Sequence, residues 1–415
     1  MRLKFFTLFL LVSLIFTISE VQVAHAANVE TFISPDSGFS ALYDFMTETR
    51  DSLIIATYTF SSPEIMDMVL EKHAKGVHVE VLVEKSPAGG MSETELAVLC
   101  SLVKNNVSVM LYDGPLRYMH AKYIISDDDA VLVTSENLGT TGFSPDGDYG
   151  NRGWGAIVHD ADISSELRTI YEEDKKSSIP FVCKTENYTL RRWDPAGAYD
   201  PRFGRETCEN QRVWLVVSPD SLDGMLALIN SANSSIIVQQ FYVYPHWGSV
   251  KYDTIESAPN PLLEALADKA RAGVRVRILL DSTYYNMDED SGVNYLTIKY
   301  VNSLAANESI PIQAKAIDLD EKGLSKVHNK GIVIDDKIAL VSSINWNENS
   351  VMRNREIGLA VAGKSVGYYA RAFASDWGEE EREYGLGFFP AMASLAALIV
   401  TILYFSRRSR TKQPW

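Results

Sequence analysis

Cysteine and histidine are scarce in this 415-residue chain, with three and seven copies. Three cysteines without paired spacing exclude a zinc module built on four cysteines, or on a cysteine pair with a histidine pair. Basic excess is also missing: 39 Lys and Arg face 54 Asp and Glu, for a net charge of −15. A global positive field of the kind that drives non-specific nucleic-acid binding is therefore excluded, although a local basic groove is compatible with that balance. Low-complexity tracts are absent, and the apolar share of 46% with 10% aromatics is that of a globular protein. Its length is enough for two domains, each with its own core.

Long apolar runs are confined to the two ends. Residues 1–26 carry Arg2 and Lys4, an apolar run from Phe5 to Ile18, and a close on Ala24-His25-Ala26. That layout predicts a secretory signal peptide cleaved after Ala26. The segment 385–405 is uncharged and long enough to span a bilayer, and Arg407, Arg408, Arg410 and Lys412 follow it in the tail 406–415. The basic stop predicts a single C-terminal transmembrane helix with a cytoplasmic tail and an extracytoplasmic body at the cell membrane. An oxidising exterior permits a disulfide, for which Cys183 and Cys208, flanking a linker, are the expected pair. Cys100, in the apolar stretch LAVLCSLV, is expected to be a buried thiol.

The body of the chain is an internal duplication. FISPDSGFSALYDFM from Phe32 answers VVSPDSLDGMLALIN from Val216, and DSLIIATYTF from Asp51 answers SSIIVQQFYV from Ser234. LEKHAKGVHVEVLVEK from Leu70 answers LADKARAGVRVRILLD from Leu266. Short Val- and Ile-rich runs alternate with stretches of helical period, an α/β pattern with a mixed, mainly parallel sheet in each half. The expected domains are 27–185 and 212–378, joined by a linker at 186–211. The second half carries insertions after Tyr244 and Ser282, with Tyr242, Tyr244, Trp247, Tyr252, Tyr284 and Tyr285 in or beside them.

One constellation is repeated offset for offset. MHAKYIISDDDAVLVTSENL places His120, Lys122, Asp127, Ser135 and Asn137 at the spacing of His328, Lys330, Asp335, Ser343 and Asn345 in KVHNKGIVIDDKIALVSSIN. Residues two apart on a strand share a face, so each His emerges beside its Lys. Asp127 and Asp335 open tight turns, where an Asp side chain bonds nearby backbone. With a two-residue turn tip, Asp127 pairs with Ala130, Lys122 stands opposite Ser135 and His120 opposite Asn137; Lys330 and His328 stand likewise opposite Ser343 and Asn345. A lone hairpin of this kind reads as a satisfied polar edge. Two of them, brought together by pseudo-symmetry, make a cluster of imidazoles, ammoniums and neutral donors suited to a phosphate diester. Two histidines divide a displacement at phosphorus, one attacking and the other donating a proton to the leaving alkoxide, while Lys, Ser and Asn hold the phosphate oxygens. Lys122 and Lys330 supply the positive charge, so neither a metal nor another cofactor is expected.

This doubled His-x-Lys-x4-Asp pattern, followed by Ser-x-Asn, resembles the phospholipase D superfamily over about residues 29 to 375. The resemblance implies two pseudo-symmetric α/β/α sandwich domains with the active site at their interface, complete in a monomer. It implies His120 as nucleophile and His328 as general acid. It also implies a carboxylate beyond the motif that orients a histidine; NREIGLAV offers Glu356 for that role. The matching NRGWGAIV has Gly153 there, which leaves the other histidine without an assigned partner. Thr134 and Ser342 stand where the family favours glycine.

The membrane tether and the aromatic insertions favour a phospholipid or similar phosphodiester as substrate, hydrolysed or transferred. The competing readings are a nuclease, which the acidic balance disfavours, and an inactive surface binding protein, which the intact histidines and lysines of both copies disfavour.

Overall fold

A computed structural model describes residues 24–379 apart from 186, 193–196, 198 and 249–251. The expected span 385–405 and tail 406–415 lie outside the described residues, as do residues 1–23. Among the described residues no helix is long and apolar enough to cross a membrane. The expected cleavage point after Ala26 falls inside the first strand, where His25 and Ala26 pair with Val213 and Arg212.

The first half contributes β1 (His25–Ser34), β2 (Ser52–Thr57), β3 (His78–Glu84), β4 (Ser108–Tyr112), β5 (Tyr123–Ser126), β6 (Ala130–Thr134), β7 (Asn151–His159) and β8 (Ser178–Pro180). The second contributes β9 (Glu206–Ser218), β10 (Ser235–Gln240), β11 (Arg275–Leu280), β12 (Ile312–Ala316), β13 (Lys326–Val327), β14 (Lys330–Ile334), β15 (Ile338–Ser342) and β16 (Glu356–Ala362). They form one continuous sheet in the order β12-β11-β10-β14-β15-β16-β9-β1-β7-β6-β5-β2-β3-β4-β8, with β13 paired to β7 off this path. Apart from β8 at one edge, the order is a palindrome about the β9–β1 pair, so the duplication seen in sequence is a pseudo-twofold axis in the fold. Both halves lie in one compact unit that ends at Phe373.

Two expectations change here. The sheet is mixed, but antiparallel pairs outnumber parallel ones: among the described strands only β2-β3-β4, β10-β11-β12 and the short β13–β7 pair run parallel. Helices cross over between the parallel strands, which is what parallel pairing requires. Helix Pro63–Ala74 follows β2 and helix Pro261–Arg271 follows β10, each opening on Pro after a capping residue, Ser62 or Asn260. The motif hairpins then insert between these units and the central strands, and a hairpin pairs antiparallel. The halves are also not separate sandwiches. β1 and β9 stitch them together, and one apolar cluster mixes Val29, Val131 and Val158 with Val213, Leu215, Ile357 and Leu359.

The disulfide joins Cys100 to Cys183, not Cys183 to Cys208, and Cys208 is the free thiol. β8 runs antiparallel to β4, and Phe181 N continues the pairing to Val109 O at 2.9 Å. This carries Cys183 back over helix Glu93–Lys104, which holds Cys100. Cys208 instead lies within β9, opposite Val29.

Candidate active site

Each motif folds as a hairpin, with a register one residue away from the expected one. Asp127 and Asp128 have φ of 51° and 62°, and Asp335 and Asp336 both have 53°. Asp129 N donates to Ser126 O and Lys337 N to Ile334 O, closing turns of type I′ over two left-handed residues. A third loop residue follows, so Ser126 pairs with Ala130 and Ile334 with Ile338. Lys122 thus faces Thr134 rather than Ser135: Thr134 N donates to Lys122 O at 3.1 Å. Lys330 faces Ser342 rather than Ser343: Ser342 Oγ donates to Lys330 O at 2.7 Å. Continuing the count puts Glu136, not Asn137, level with His120, and Ile344, not Asn345, level with His328.

The aspartates hold the turns to neighbouring loops. Asp127 accepts from the backbone N–H of Arg50, Asp51 and Ser52 at 2.8–2.9 Å. Asp335 accepts from those of Asn233, Ser234 and Ser235, each at 2.8 Å.

The histidines are placed by the opposite half. His120 N donates to Arg355 O and His328 N to Arg152 O, both at 2.9 Å. β13, just before His328, runs beside the start of β7, and Met119 bridges Arg355 in the same manner. Two acids finish this placement: Glu84 accepts from Met119 N and Asp281 from Val327 N, each at 2.8 Å. Behind them Arg152 pairs with Asp36 and Arg355 with Asp174, so both arginines serve as scaffold. The ammoniums of Lys122 and Lys330 are buried and donate to the carbonyls of His120 and His328.

Carboxylates cross over in the same way. Glu356 Oε2 lies 2.8 Å from His120 Nδ1, and Asn354 Nδ2 donates to Glu356 Oε1 at 2.9 Å. Glu136 Oε2 lies 3.3 Å from His328 Nδ1, without full hydrogen-bond alignment, and accepts from Asn151 Nδ2 at 2.9 Å. Glu136 is the residue that sequence reasoning missed. Its signal was an acid between Ser135 and Asn137 where the second copy has apolar Ile344.

Burial dominates the electrostatics. It pushes His120 down to about 4 against the raising pull of Glu356, and pushes His328 well below the usual imidazole range, helped by Lys330, Lys326, Lys122 and His120. Burial likewise brings Lys122 down to about 7 and Lys330 well below the ammonium range. Burial also raises Glu136, whereas at Glu356 its effect is outweighed by His120, Lys122 and Asn354, which hold that carboxyl below its usual range. Each histidine therefore feels the cations of the other half, so the two motifs form one electrostatic cluster.

Of the remaining predicted residues, the serines are committed to the scaffold. Ser135 Oγ accepts from Trp154 N at 3.0 Å and Ser343 Oγ from Ile357 N at 3.1 Å, tying the hairpins to β7 and β16. The Oδ1 atoms of Asn137 and Asn345 are buried with no hydrogen-bond partner among the described residues. Tyr58 packs on His120 at 4.6 Å between ring centres and Phe241 on His328 at 5.1 Å, at equivalent positions of the repeat. Tyr285, from the second insertion, touches Phe241 at 6.3 Å, and its neighbour Tyr284 is 85% exposed beside the site.

The family model described as "Cardiolipin synthase, PLD-like domain" matches residues 42–175 and 225–377, one match on each half. A cardiolipin synthase of Listeria monocytogenes serotype 4b is 23% identical over 357 residues, covering 82% of this chain and 66% of that protein. One from Clostridium perfringens is 22% identical over 366 residues, covering 82% and 68%. The chain thus spans about two thirds of the length of these relatives. Among solved structures, the phosphatidylserine synthase of Haemophilus influenzae Rd KW20 aligns with a TM-score of 0.60 at 13% identity, over 86% of this chain and 88% of that one. Polyphosphate kinase from Porphyromonas gingivalis aligns at 0.52 and 9% identity, over 90% of this chain and 55% of its own. With a family match on each half, each bearing its own histidine and lysine, the chain belongs to the phospholipase D superfamily, in the family described by the cardiolipin synthase PLD-like domain.

Proposed function

We propose that the chain is a phosphodiester-cleaving enzyme of phospholipase D type that transfers or hydrolyses phosphatidyl groups through a phosphohistidine. One observation carries this reading: two largely buried histidines, each facing a carboxylate from the opposite half, share one cluster of lysines. With Nδ1–H donated to Glu356, His120 keeps its lone pair on Nε2, the nucleophilic nitrogen. Nε2 attacks phosphorus, the bond from phosphorus to the leaving oxygen breaks, and protonated His328 gives its proton to that oxygen. Water or an alcohol then yields its proton to His328, attacks phosphorus and displaces His120. Lys122, Lys330, Asn137 and Asn345 hold the non-bridging oxygens, with Ser135 and Ser343 fixing the hairpins that carry them.

Family membership and the exposed tyrosines beside His328 support a phospholipid substrate. The disulfide between Cys100 and Cys183 supports an extracytoplasmic body, since such bonds persist in oxidising compartments. The test incubates the purified protein, with chelator present, against phosphatidylcholine, phosphatidylglycerol, cardiolipin and single-stranded DNA. Turnover of a phospholipid is expected, with losses of about 10³-fold in His120→Ala and in His328→Ala. A labelled phosphatidyl adduct should be trapped on the wild type and be absent from His120→Ala. Turnover of DNA alone, or activity surviving both substitutions, would sink the reading.

A further inference from the structure

The pseudo-twofold axis exposes a paired exchange between the halves. In the second half the first residue of β16 is Glu356, level with Ser218 of β9, and the turn residue between Ser343 and Asn345 is the fully buried Ile344. In the first half the residue level with Ser34 of β1 is Gly153, and the turn residue between Ser135 and Asn137 is Glu136. The carboxylate is gone from the strand and present in the turn. Space explains why both positions differ together. A Cβ on Gly153 would lie 2.3 Å from Glu136 Oε1 and 2.5 Å from its Cγ, so no side chain fits there while Glu136 points inward. Gly153 has no left-handed backbone to demand glycine, which leaves room for the carboxylate as its reason.

The anchor is kept as well. Asn151 Nδ2 holds Glu136 at 2.9 Å as Asn354 Nδ2 holds Glu356 at 2.9 Å, and Asn151 stands before Gly153 as Asn354 stands before Glu356. Glu136 is 1% exposed, and neither its Oε1 nor the Nδ1 of His328 has a hydrogen-bond partner among the described residues, while its Oε2 lies 3.3 Å from that Nδ1. The titratable groups that act most on His328 are Lys330, Lys326, Lys122 and His120, all of them basic and all pushing it down, so the case for Glu136 rests on its position.

We propose that Glu136 is the positioning residue of His328, acting from the turn as Glu356 acts on His120 from the strand, with Gly153 as the space it requires. The oblique 3.3 Å contact tightens when His328 takes up the proton it must deliver, as hydrogen bonds of catalytic groups do on substrate binding. The kinetic part of this inference rests on the phosphodiester reading above; the structural part does not.

The experiment combines a charge removal with a transplant. Glu136→Gln keeps the shape and the Asn151 contact but removes the charge. It is expected to lower kcat by about 10-fold or more, to move the pH profile, and to lower the pKa of His328 by about one unit in an NMR titration. Glu136→Ile is expected to lose more. The double variant Glu136→Ile/Gly153→Glu rebuilds the second-half arrangement in the first half and is expected to recover at least about 10-fold over Glu136→Ile. An unshifted His328 with a wild-type pH profile in Glu136→Gln overturns the proposal, and so does a double variant no better than Glu136→Ile. If the wild type turns over no phosphodiester, the enzymatic reading fails, and the NMR titration alone still decides whether Glu136 governs His328.

Discussion

At the scale of residues, the charge states of His120, His328 and Lys122 decide when the site can work. A free-enzyme profile of kcat/KM reports the nucleophile that must be neutral and the acid that must be protonated. With His120 brought down to about 4 by burial and His328 also far below its usual range, the bell for kcat/KM is expected to peak on the acid side of 6.5. Lys122, at about 7, loses its charge on the alkaline side and steepens the fall there. A bound phosphate favours the protonated form of every neighbouring base, so the bell for kcat should lie higher in pH than that for kcat/KM. Initial rates from pH 4 to 9 at low and saturating substrate check both points, and a rate rising monotonically through neutrality contradicts them. Glu356 enters through His120. Glu356→Gln removes the charge that favours the imidazolium and keeps only one acceptor for Nδ1–H. Formation of the phosphohistidine should slow by about 10²-fold or more, read in single-turnover experiments. That Glu356 would stand beside a histidine was expected only from the family resemblance, which implies a carboxylate beyond the motif, and its contact with His120 fits that expectation. Glu136 was not expected, because a sequence shows an acid beside Asn137 without showing that Gly153 has cleared a space for it.

At the scale of elements, the motif hairpin depends on its aspartates. Asp127 and Asp335 combine a left-handed backbone, which Asn and Asp tolerate better than most residues, with three backbone N–H groups to satisfy. Asp335→Ala is expected to cost about 2 kcal/mol and Asp335→Asn less than about 1 kcal/mol, measured by denaturant unfolding. The reason is that Asn keeps the backbone preference and one acceptor. Burial raises each carboxyl, but the N–H groups more than reverse it, so both titrate below the ordinary range. Their contribution is therefore present above the unfolded carboxyl's pKa and is lost as pH falls through the folded one. Sequence spacing placed these residues at the turn correctly. It missed the third loop residue, and so the register, because the choice between a two-residue and a three-residue loop rests on backbone angles at Asp128 and Asp336 that the letters do not state. The disulfide was misread for a similar reason. Cys183 and Cys208 flank the same linker, yet β8 folds Cys183 back onto the helix of Cys100.

At the scale of the whole molecule, the repeat was visible in the chain, and the palindromic sheet is its direct consequence. The direction of pairing was harder to read, since Val- and Ile-rich runs such as Tyr123–Ser126 look alike in parallel and antiparallel settings. What the repeat alone did not reveal is that each half completes the other's histidine. His120 takes its carboxylate from Glu356 and its backbone partner from Arg355, while His328 takes Glu136 and Arg152. Either half by itself holds one histidine and the carboxylate meant for the other. A protease site placed after the exposed Lys184 should therefore separate covalent continuity from site completeness. The cut leaves the Cys100–Cys183 bond within the first half, and the β1–β9 and β13–β7 pairings between the halves. The nicked protein is expected to stay associated in size-exclusion chromatography and to keep at least about half its activity. Each half purified from denaturant should be inactive, and mixing them on refolding should restore turnover. Mixing a His120→Ala first half with a His328→Ala second half should restore nothing, because the one site they form then lacks both histidines. Activity in either half alone would mean that the site does not need the crossed carboxylates.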